Sequence, residues 1–298
     1  MTHSLHGVLV ALATPFAADH SVDVPRLREL VERTIDGGVH GVVACGSTGE
    51  FSALSSEERR LVVETVVDQT AHRVPVVAQT GSTSTTEAIR LTQHAASAGA
   101  DVVMPVAPFY EALSLEETKH YLRRVASSVS IPAMLYNLPA ATGVDLGADT
   151  VAELVQQVEN IRYVKNTTPD MAQAAQLIHY YGDLVGTFVG WDTLILSSLV
   201  AGSAGVMAGT ANIIPAEIVA VYDAVQAGDL AEARQAWLRI YPLLDAALSV
   251  NYIAAVKIAL TAAGFPAGSP REPFAALTGE EAERIADLAG ALRPQPVA

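Results

Sequence analysis

The residues best placed to do chemistry lie in Ile161-Arg162-Tyr163-Val164-Lys165-Asn166-Thr167-Thr168-Pro169-Asp170, an apolar β-type run that carries a lysine to the point where a strand gives way to a turn. The chain has only two other lysines, Lys119 and Lys257. Both fall in amphipathic helical patterns, where a long cationic side chain is expected to reach solvent along its apolar stem. Lys165 has no such exit. Desolvation at a strand end disfavours an ammonium ion, and a neutral amine attacks a carbonyl carbon to form a Schiff base. The competing reading is a structural lysine paired with a carboxylate such as Asp170.

Two further groups complete a possible site. Tyr136 ends the preceding apolar run, which places it beside Lys165 if the two strands are neighbours, and a phenol next to a cationic imine can pass a proton between hydroxyl groups. Its other fate is a packed aromatic with its hydroxyl on a backbone group. Gly46-Ser47-Thr48-Gly49 is a glycine-bracketed turn read as opening a helix, with backbone N–H groups free to hold an anion. It lacks the lysine of a nucleotide loop and the glycine spacing of a dinucleotide loop, so a carboxylate suits it better than a phosphate.

Elements that alternate between β-type runs and helical periodicity must position these groups. Strands are expected over residues 8–13, 41–44, 74–79, 101–106, 132–136, the lysine stretch, 186–189 and 204–207, at first roughly 30 residues apart, the size of one βα unit. Eight such units close an α/β barrel, a (β/α)8 TIM barrel. After residue 215 the pattern is helical to the end, over 216–226, 230–248, 251–263 and 278–292. Residues 1–225 are therefore read as the barrel and 226–298 as a helical extension packed on it in one continuous unit. Active sites of such barrels lie just past the strands, where Thr14, Ser47, Thr48, Tyr110, Tyr136, Lys165, Asp192 and Thr210 all fall.

Composition narrows the classes. Half of the 298 residues are hydrophobic and 17% are charged, enough for a large core around a buried parallel sheet. A net charge of −14 argues against nucleic-acid or anionic-membrane partners. The single cysteine, Cys45, excludes an internal disulfide and suits a reducing compartment. Residues 7–13 have no preceding Lys or Arg, so export is not expected and a cytoplasmic location is. Residues 193–215 form a charge-free run long enough for a bilayer, but Gly202-Ser203-Ala204-Gly205 and Asn212 interrupt it, and it reads as a buried helix followed by a buried strand. None of the eight histidines falls at the strand ends: His40, His72, His94, His120 and His179 belong to helices or their ends, and His3, His6 and His20 to terminal or early loops. Neither metal nor cofactor is expected.

Taken together, Gly46-Ser47-Thr48-Gly49-Glu50, Pro108-Phe109-Tyr110, Tyr136-Asn137-Leu138-Pro139, Lys165-Asn166-Thr167 and Gly190-Trp191-Asp192 resemble the dihydrodipicolinate synthase and N-acetylneuraminate lyase superfamily in order and spacing across nearly the whole chain. The resemblance implies a lysine imine with pyruvate or another 2-oxo acid at Lys165, a proton shuttle at Tyr136, carboxylate holding by Ser47 and Thr48, and Tyr110 lent across a dimer interface. With Thr48 it makes Lys165, Tyr136 and Tyr110 the catalytic set, and adds Thr167, Gly190, Asp192 and Val206 to the substrate-binding set. It also implies a homotetramer built as a dimer of dimers.

Departures from that pattern bear on the substrate. Dihydrodipicolinate synthases carry an arginine in the turn after Tyr-Asn, where this chain has Ala140-Ala141-Thr142-Gly143. If aspartate semialdehyde were nevertheless accepted, Arg162 or a partner subunit's arginine would have to stand in. Sialic acid lyases have a glutamate and a serine where this chain has Thr193 and Gly209. The Ala-Thr-Gly turn is similar to that of 2-keto-3-deoxygluconate aldolases, and Trp191 puts apolar surface near the acceptor end. The expected activity is reversible aldol cleavage of a 2-oxo acid to pyruvate and an aldehyde. The alternatives are a dehydratase, deaminase or 4-hydroxy-tetrahydrodipicolinate synthase using the same imine, and a barrel that binds a 2-oxo acid, a flavin or a phosphate without this chemistry.

Overall fold

A strand covered on both faces needs apolar residues at consecutive positions, and short β-branched runs here meet that need. The computed structural model describes residues 5–292, so His3 lies outside the described residues. Eight parallel strands close in chain order: β1 (Gly7–Ala11), β2 (Gly41–Ala44), β3 (Val76–Gln79), β4 (Val102–Met104), β5 (Ala133–Asn137), β6 (Ile161–Asn166), β7 (Gly186–Val189) and β8 (Gly205–Ala208). Pairing of Val8 with Val206 on one side and Leu9 with Gly41 on the other completes the ring at β1. The (β/α)8 barrel expected from the alternation is the fold. β4 stops sooner than its apolar run because Pro105 has no N–H for the ladder, and pairing resumes only as a bridge between Val106 and Tyr136.

Between the strands run α1 (Val24–Asp36), α2 (Ser56–Thr70), α3 (Thr85–Ala98), α4 (Leu115–Ala126), a four-residue turn α5 (Pro139–Thr142), α6 (Ala148–Gln157), α7 (Met171–Tyr181), α8 (Ile195–Val200) and, after β8, α9 (Pro215–Gln226). Ser55 with Glu58 and Ser114 with Glu117 form capping boxes that start α2 and α4. Ser84 stands at the cap of α3. Three more helices follow, α10 (Leu230–Leu248), α11 (Tyr252–Ala262) and α12 (Gly279–Ala291). Residues 193–215, the decoy for a membrane span, are divided among α8, β8 and short turns, and no helix of the described residues is long and apolar enough to cross a membrane.

Side chains alternate across each strand. Leu9, Val43, Val77, Met104, Met134, Tyr136, Tyr163, Phe188 and Met207 fill the barrel interior, while Val8, Val42, Leu135, Val164 and Val206 pack outward into the layer beneath the helices. The alternation corrects one expectation. Val206 faces the helices, with its neighbour Met207 inward, so its side chain is not available to a substrate in the lumen.

The lysines supply a second correction. Lys257 does not reach solvent along α11; it is 2% exposed and lies 2.7 Å from Oε1 of Glu50, itself fully buried, as an ion pair off the ideal hydrogen-bond axis. Its Nζ donates to the Ser269 carbonyl at 2.9 Å and lies 4.1 Å from the centre of the Phe16 ring. Oε2 of Glu50 accepts from the Arg271 amide at 2.8 Å, and Arg271 grips Glu58 with both terminal guanidinium nitrogens. Lys119 is likewise covered, between Glu116 at 2.8 Å and Glu153 at 2.6 Å. Helical periodicity shows which face a lysine occupies but not whether another element covers it, and here the loop after α11 and the loop after β2 close over Lys257. Removing one member of a buried pair strands the other, so Glu50→Ala should cost about 3–5 kcal/mol in urea unfolding. A midpoint unchanged from wild type would show that the Lys257 ammonium is not held as a charge, in accord with the downward pressure of desolvation on its pKa.

Candidate active site

The apolar alternation of β6 turns Lys165 to the same side as Tyr163, and the parallel register sets it directly opposite Tyr136 of β5. Lys165 is 5% exposed. Its Nζ stands 4.2 Å from the centre of the Tyr136 ring, and the Tyr136 hydroxyl is 3.2 Å from the Ser47 Oγ. No ion pair to Lys165 occurs among the described residues. Asp170, the carboxylate that would have made it structural, instead caps α7, its Oδ1 accepting from the amides of Ala172 and Gln173.

Gly190, at the end of β7, makes room for this amine. A Cβ there would meet Lys165 Cε at 2.5 Å and Thr167 Oγ1 at 2.3 Å, so no larger residue fits. Thr167 Oγ1 is buried and has no hydrogen-bond partner. Beside a sequestered amine, such a hydroxyl is a group that a polar ligand would satisfy. Below the amine, Asn137 braces the strand pair: its carbonyl accepts from the Thr167 amide at 2.9 Å, and its Nδ2 donates to Asn166 at 3.0 Å and Asp145 at 2.7 Å.

Across the barrel mouth, the Gly46–Gly49 turn is not the helix entry its sequence suggested. It leads into a 3₁₀ turn, Phe51–Ala53, and α2 begins only at Ser56. The Gly49 and Glu50 amides turn back to the carbonyls of Gly46 and Ser47, both at 3.0 Å, while those of Ser47 and Thr48 donate to no group of the described residues. Two amides and two hydroxyls, at Ser47 and Thr48, are therefore what the turn can offer a carboxylate. Cys45 and Glu50 bracket it in the left-handed region, at φ 58° and 57°, a cost that persists only where the surroundings impose it. The buried Glu50–Lys257 pair does so at one end, and at the other the Cys45 thiol, pushed up to about 11 by burial, is a packed and unreactive group.

Asp192 is 3% exposed, and its Oδ2 accepts three hydrogen bonds: from the Thr210 amide at 3.0 Å, the Thr210 Oγ1 at 2.5 Å and the Tyr252 hydroxyl at 2.5 Å. Desolvation raises its pKa, opposed by these donors and by the charge of Lys165. Among the described residues no group of three or more His, Cys, Asp or Glu side chains stands close enough to hold a metal ion.

The whole constellation therefore has the order of a known group of enzymes, and comparison decides which. The chain matches the family described as Dihydrodipicolinate synthetase family over residues 4–292. It belongs to that family. It is 40% identical over 279 residues to the 4-hydroxy-tetrahydrodipicolinate synthase of Geotalea uraniireducens (strain Rf4), covering 94% of this chain and 95% of the relative. Among solved structures, the chloride-inhibited dihydrodipicolinate synthase of Acinetobacter baumannii complexed with pyruvate superposes with a TM-score of 0.92 at 32% identity, covering 97% of this chain and all of that one. YagE of E. coli K12, a prophage protein of the dihydrodipicolinic acid synthase family in complex with pyruvate, also gives 0.92, at 30% identity over 97% and 99% of the two chains.

Within this family frame, the structure brings together Lys165, Tyr136, Ser47, Thr167 and Gly190, with Thr48 and Asp192 meeting around Gly209. It leaves Tyr110 apart: 85% exposed beyond β4, next to Phe109, whose ring meets Phe51 edge-on at 5.6 Å. Arg162 points away from the site. It lies near the start of β6 in a cleft of about 560 Å³ with Ser127, Val129 and Pro132, so it cannot replace an arginine at exposed Ala141. The residue that sequence reasoning missed is Tyr252, for a tyrosine at the start of a C-terminal helix gives no sign that it returns to the barrel mouth.

Proposed function

We infer that this chain is a Schiff-base-forming lyase of 2-oxo acids that cleaves a substrate reversibly to pyruvate and an aldehyde. The observation that carries it is a buried lysine amine free of any carboxylate pair, over the Tyr136 ring and beside the orphaned Thr167 hydroxyl. Lys165 adds to the C2 ketone and water leaves, giving a protonated imine that serves as electron sink. Tyr136 takes the C4 hydroxyl proton as the C3–C4 bond breaks, and the aldehyde departs. The enamine is protonated at C3, and water releases pyruvate and the free amine. Ser47 and Thr48 hold the substrate carboxylate with their hydroxyls and unpaired amides, and Ser47 orients the Tyr136 phenol. Tyr110, exposed in the single chain, completes the proton path from a neighbouring subunit in a dimer of dimers, and the enzyme works in the cytoplasm. Borohydride reduction with a panel of 2-oxo acids, followed by mass analysis of the Lys165 peptide, tests the reading. Pyruvate should leave a stable adduct there; an unmodified peptide with every acid would overturn it.

The relative from Geotalea favours a second reading, 4-hydroxy-tetrahydrodipicolinate synthesis from the same imine. The turn after Tyr136 counts against it. Ala140 and Ala141 carry no charge, Arg162 is at the other end of its strand, and the turn therefore offers no cation to hold the second substrate's carboxylate. With pyruvate, kcat/KM should therefore be lower for aspartate semialdehyde than for a short aldehyde such as glyceraldehyde, by about tenfold or more. A clear win for aspartate semialdehyde would move the function to the synthase.

A further inference from the structure

Asp192 sits where a substrate-binding carboxylate was expected, yet its Oδ2 is occupied by three protein donors, one of them delivered from outside the eight βα units. That donor is Tyr252, the first residue of α11, set there by Asn251, whose Oδ1 caps the helix by accepting from the Ala254 amide. A second, independent feature locates its tip. A Cβ built on Gly209, just past β8, would stand 2.5 Å from the Tyr252 hydroxyl oxygen, 2.7 Å from its Cε1 and 2.9 Å from Thr48 Oγ1. The phenol thus fills the ground that a side chain at 209 would occupy, across from the turn that holds the substrate carboxylate. Burial and Asp192 hold this phenol well above the ordinary range, so it is a permanent donor to the carboxylate.

A cleft selects a hydroxylated ligand with buried groups that lack partners until the ligand arrives, and it rejects one whose hydroxyls lose water and gain nothing. Here Oδ2 of Asp192 and the hydroxyls of Thr210 and Tyr252 are already engaged with one another. We propose that Tyr252 is the specificity-determining residue at the acceptor end of the cleft: it stands in for a side chain at 209, engages Asp192, and turns the site toward short aldehydes that lack a long polyhydroxylated tail. This rests on the lyase reading above and adds the acceptor class to it.

The test compares wild type, Tyr252→Phe, Tyr252→Ala, Gly209→Ser and the double variant Tyr252→Ala/Gly209→Ser. Each is assayed for kcat/KM with glyceraldehyde and with N-acetylmannosamine at saturating pyruvate, for KM of pyruvate, and for borohydride trapping on Lys165. Tyr252→Ala should raise the N-acetylmannosamine to glyceraldehyde ratio about tenfold or more, because it frees Asp192 and opens space, with the pyruvate KM within about twofold of wild type. Tyr252→Phe keeps the ring packing and should raise the ratio about threefold, which decides the matter if the alanine variant does not fold. Gly209→Ser should lower activity with both acceptors by its collision with the phenol, and the double variant should recover it with the ratio shifted further toward N-acetylmannosamine. An unchanged ratio in both Tyr252 variants, with trapping intact, overturns the proposal alone. So does a Gly209→Ser variant as active as wild type. A wild-type chain that traps no 2-oxo acid overturns the lyase reading and this proposal together.

Discussion

Lys165→Ala should abolish turnover, by roughly 10³-fold or more, and remove all borohydride-trappable adduct, while leaving the unfolding midpoint at or above that of wild type. The reasoning is geometric. Lys165 is the one lysine at the C-terminal rim; Lys119 is fixed between Glu116 of α4 and Glu153 of α6, and Lys257 is sealed against Glu50. Neither can offer a neutral amine to a ketone in the barrel mouth. The stability half of the prediction follows from the absence of an ion pair at Lys165: truncating it breaks no salt bridge, and Asp192, which its charge assists, keeps three donors, unlike the partner left by Glu50→Ala. Residual trapping in the variant, mapped by peptide mass to Lys119 or Lys257, would sink the site assignment. Loss of both fold and trapping would instead show that the Tyr136 ring needs the lysine stem for packing.

Tyr136→Phe should lower kcat by about 10²-fold or more, with a stability loss near 1 kcal/mol and nearly normal imine formation with pyruvate. The ring is 2% exposed in the barrel interior, between Lys165 and the interior core, so phenylalanine keeps its packing and its contact with the amine. Only the hydroxyl is lost, and with it the link to Ser47 at 3.2 Å. A proton-shuttle role predicts that the defect lies in C3–C4 cleavage rather than in binding. Single-turnover kinetics separates the two: trapping with pyruvate should persist while aldehyde release slows. A variant with normal kcat would leave Tyr136 as a packed aromatic and pass the proton step to another hydroxyl, with Ser47, 3.2 Å from the phenol, the nearest candidate in the turn.

The two variants separate chemistry from architecture in a way that Glu50→Ala does not. Glu50 touches no reacting atom, but it holds the left-handed end of the Ser47-Thr48 turn through Lys257 and Arg271. Its loss should therefore appear first as lower stability and a raised KM for pyruvate, with trapping still specific to Lys165.

Strand-and-helix alternation in the sequence determined the barrel, because parallel strands covered on both faces must be largely apolar on both and each needs a helix to return the chain. The pairing of Tyr136 with Lys165 followed from the same logic, since consecutive units of a barrel are neighbours in space. The resemblance named the family that the match over residues 4–292 bears out, and it implied the imine at Lys165 that borohydride trapping is to test. What the sequence could not determine was every contact made between distant segments. Val206 and Met207 differ in which way they face by a single residue of phase, too little for an apolar run to resolve. The Gly46–Gly49 turn looked like a helix entry because local signals do not report that Glu50 is drawn back by a lysine about 200 residues later. Asp192 was expected to bind substrate, and nothing in the sequence signalled that Tyr252, 60 residues away on a helix outside the repeating units, joins Thr210 in donating to it. Periodicity records which face of an element is buried, whereas the partner that buries it is chosen only when the whole chain has closed, and at this site that choice sets both the shape of the carboxylate turn and the polarity of the acceptor end.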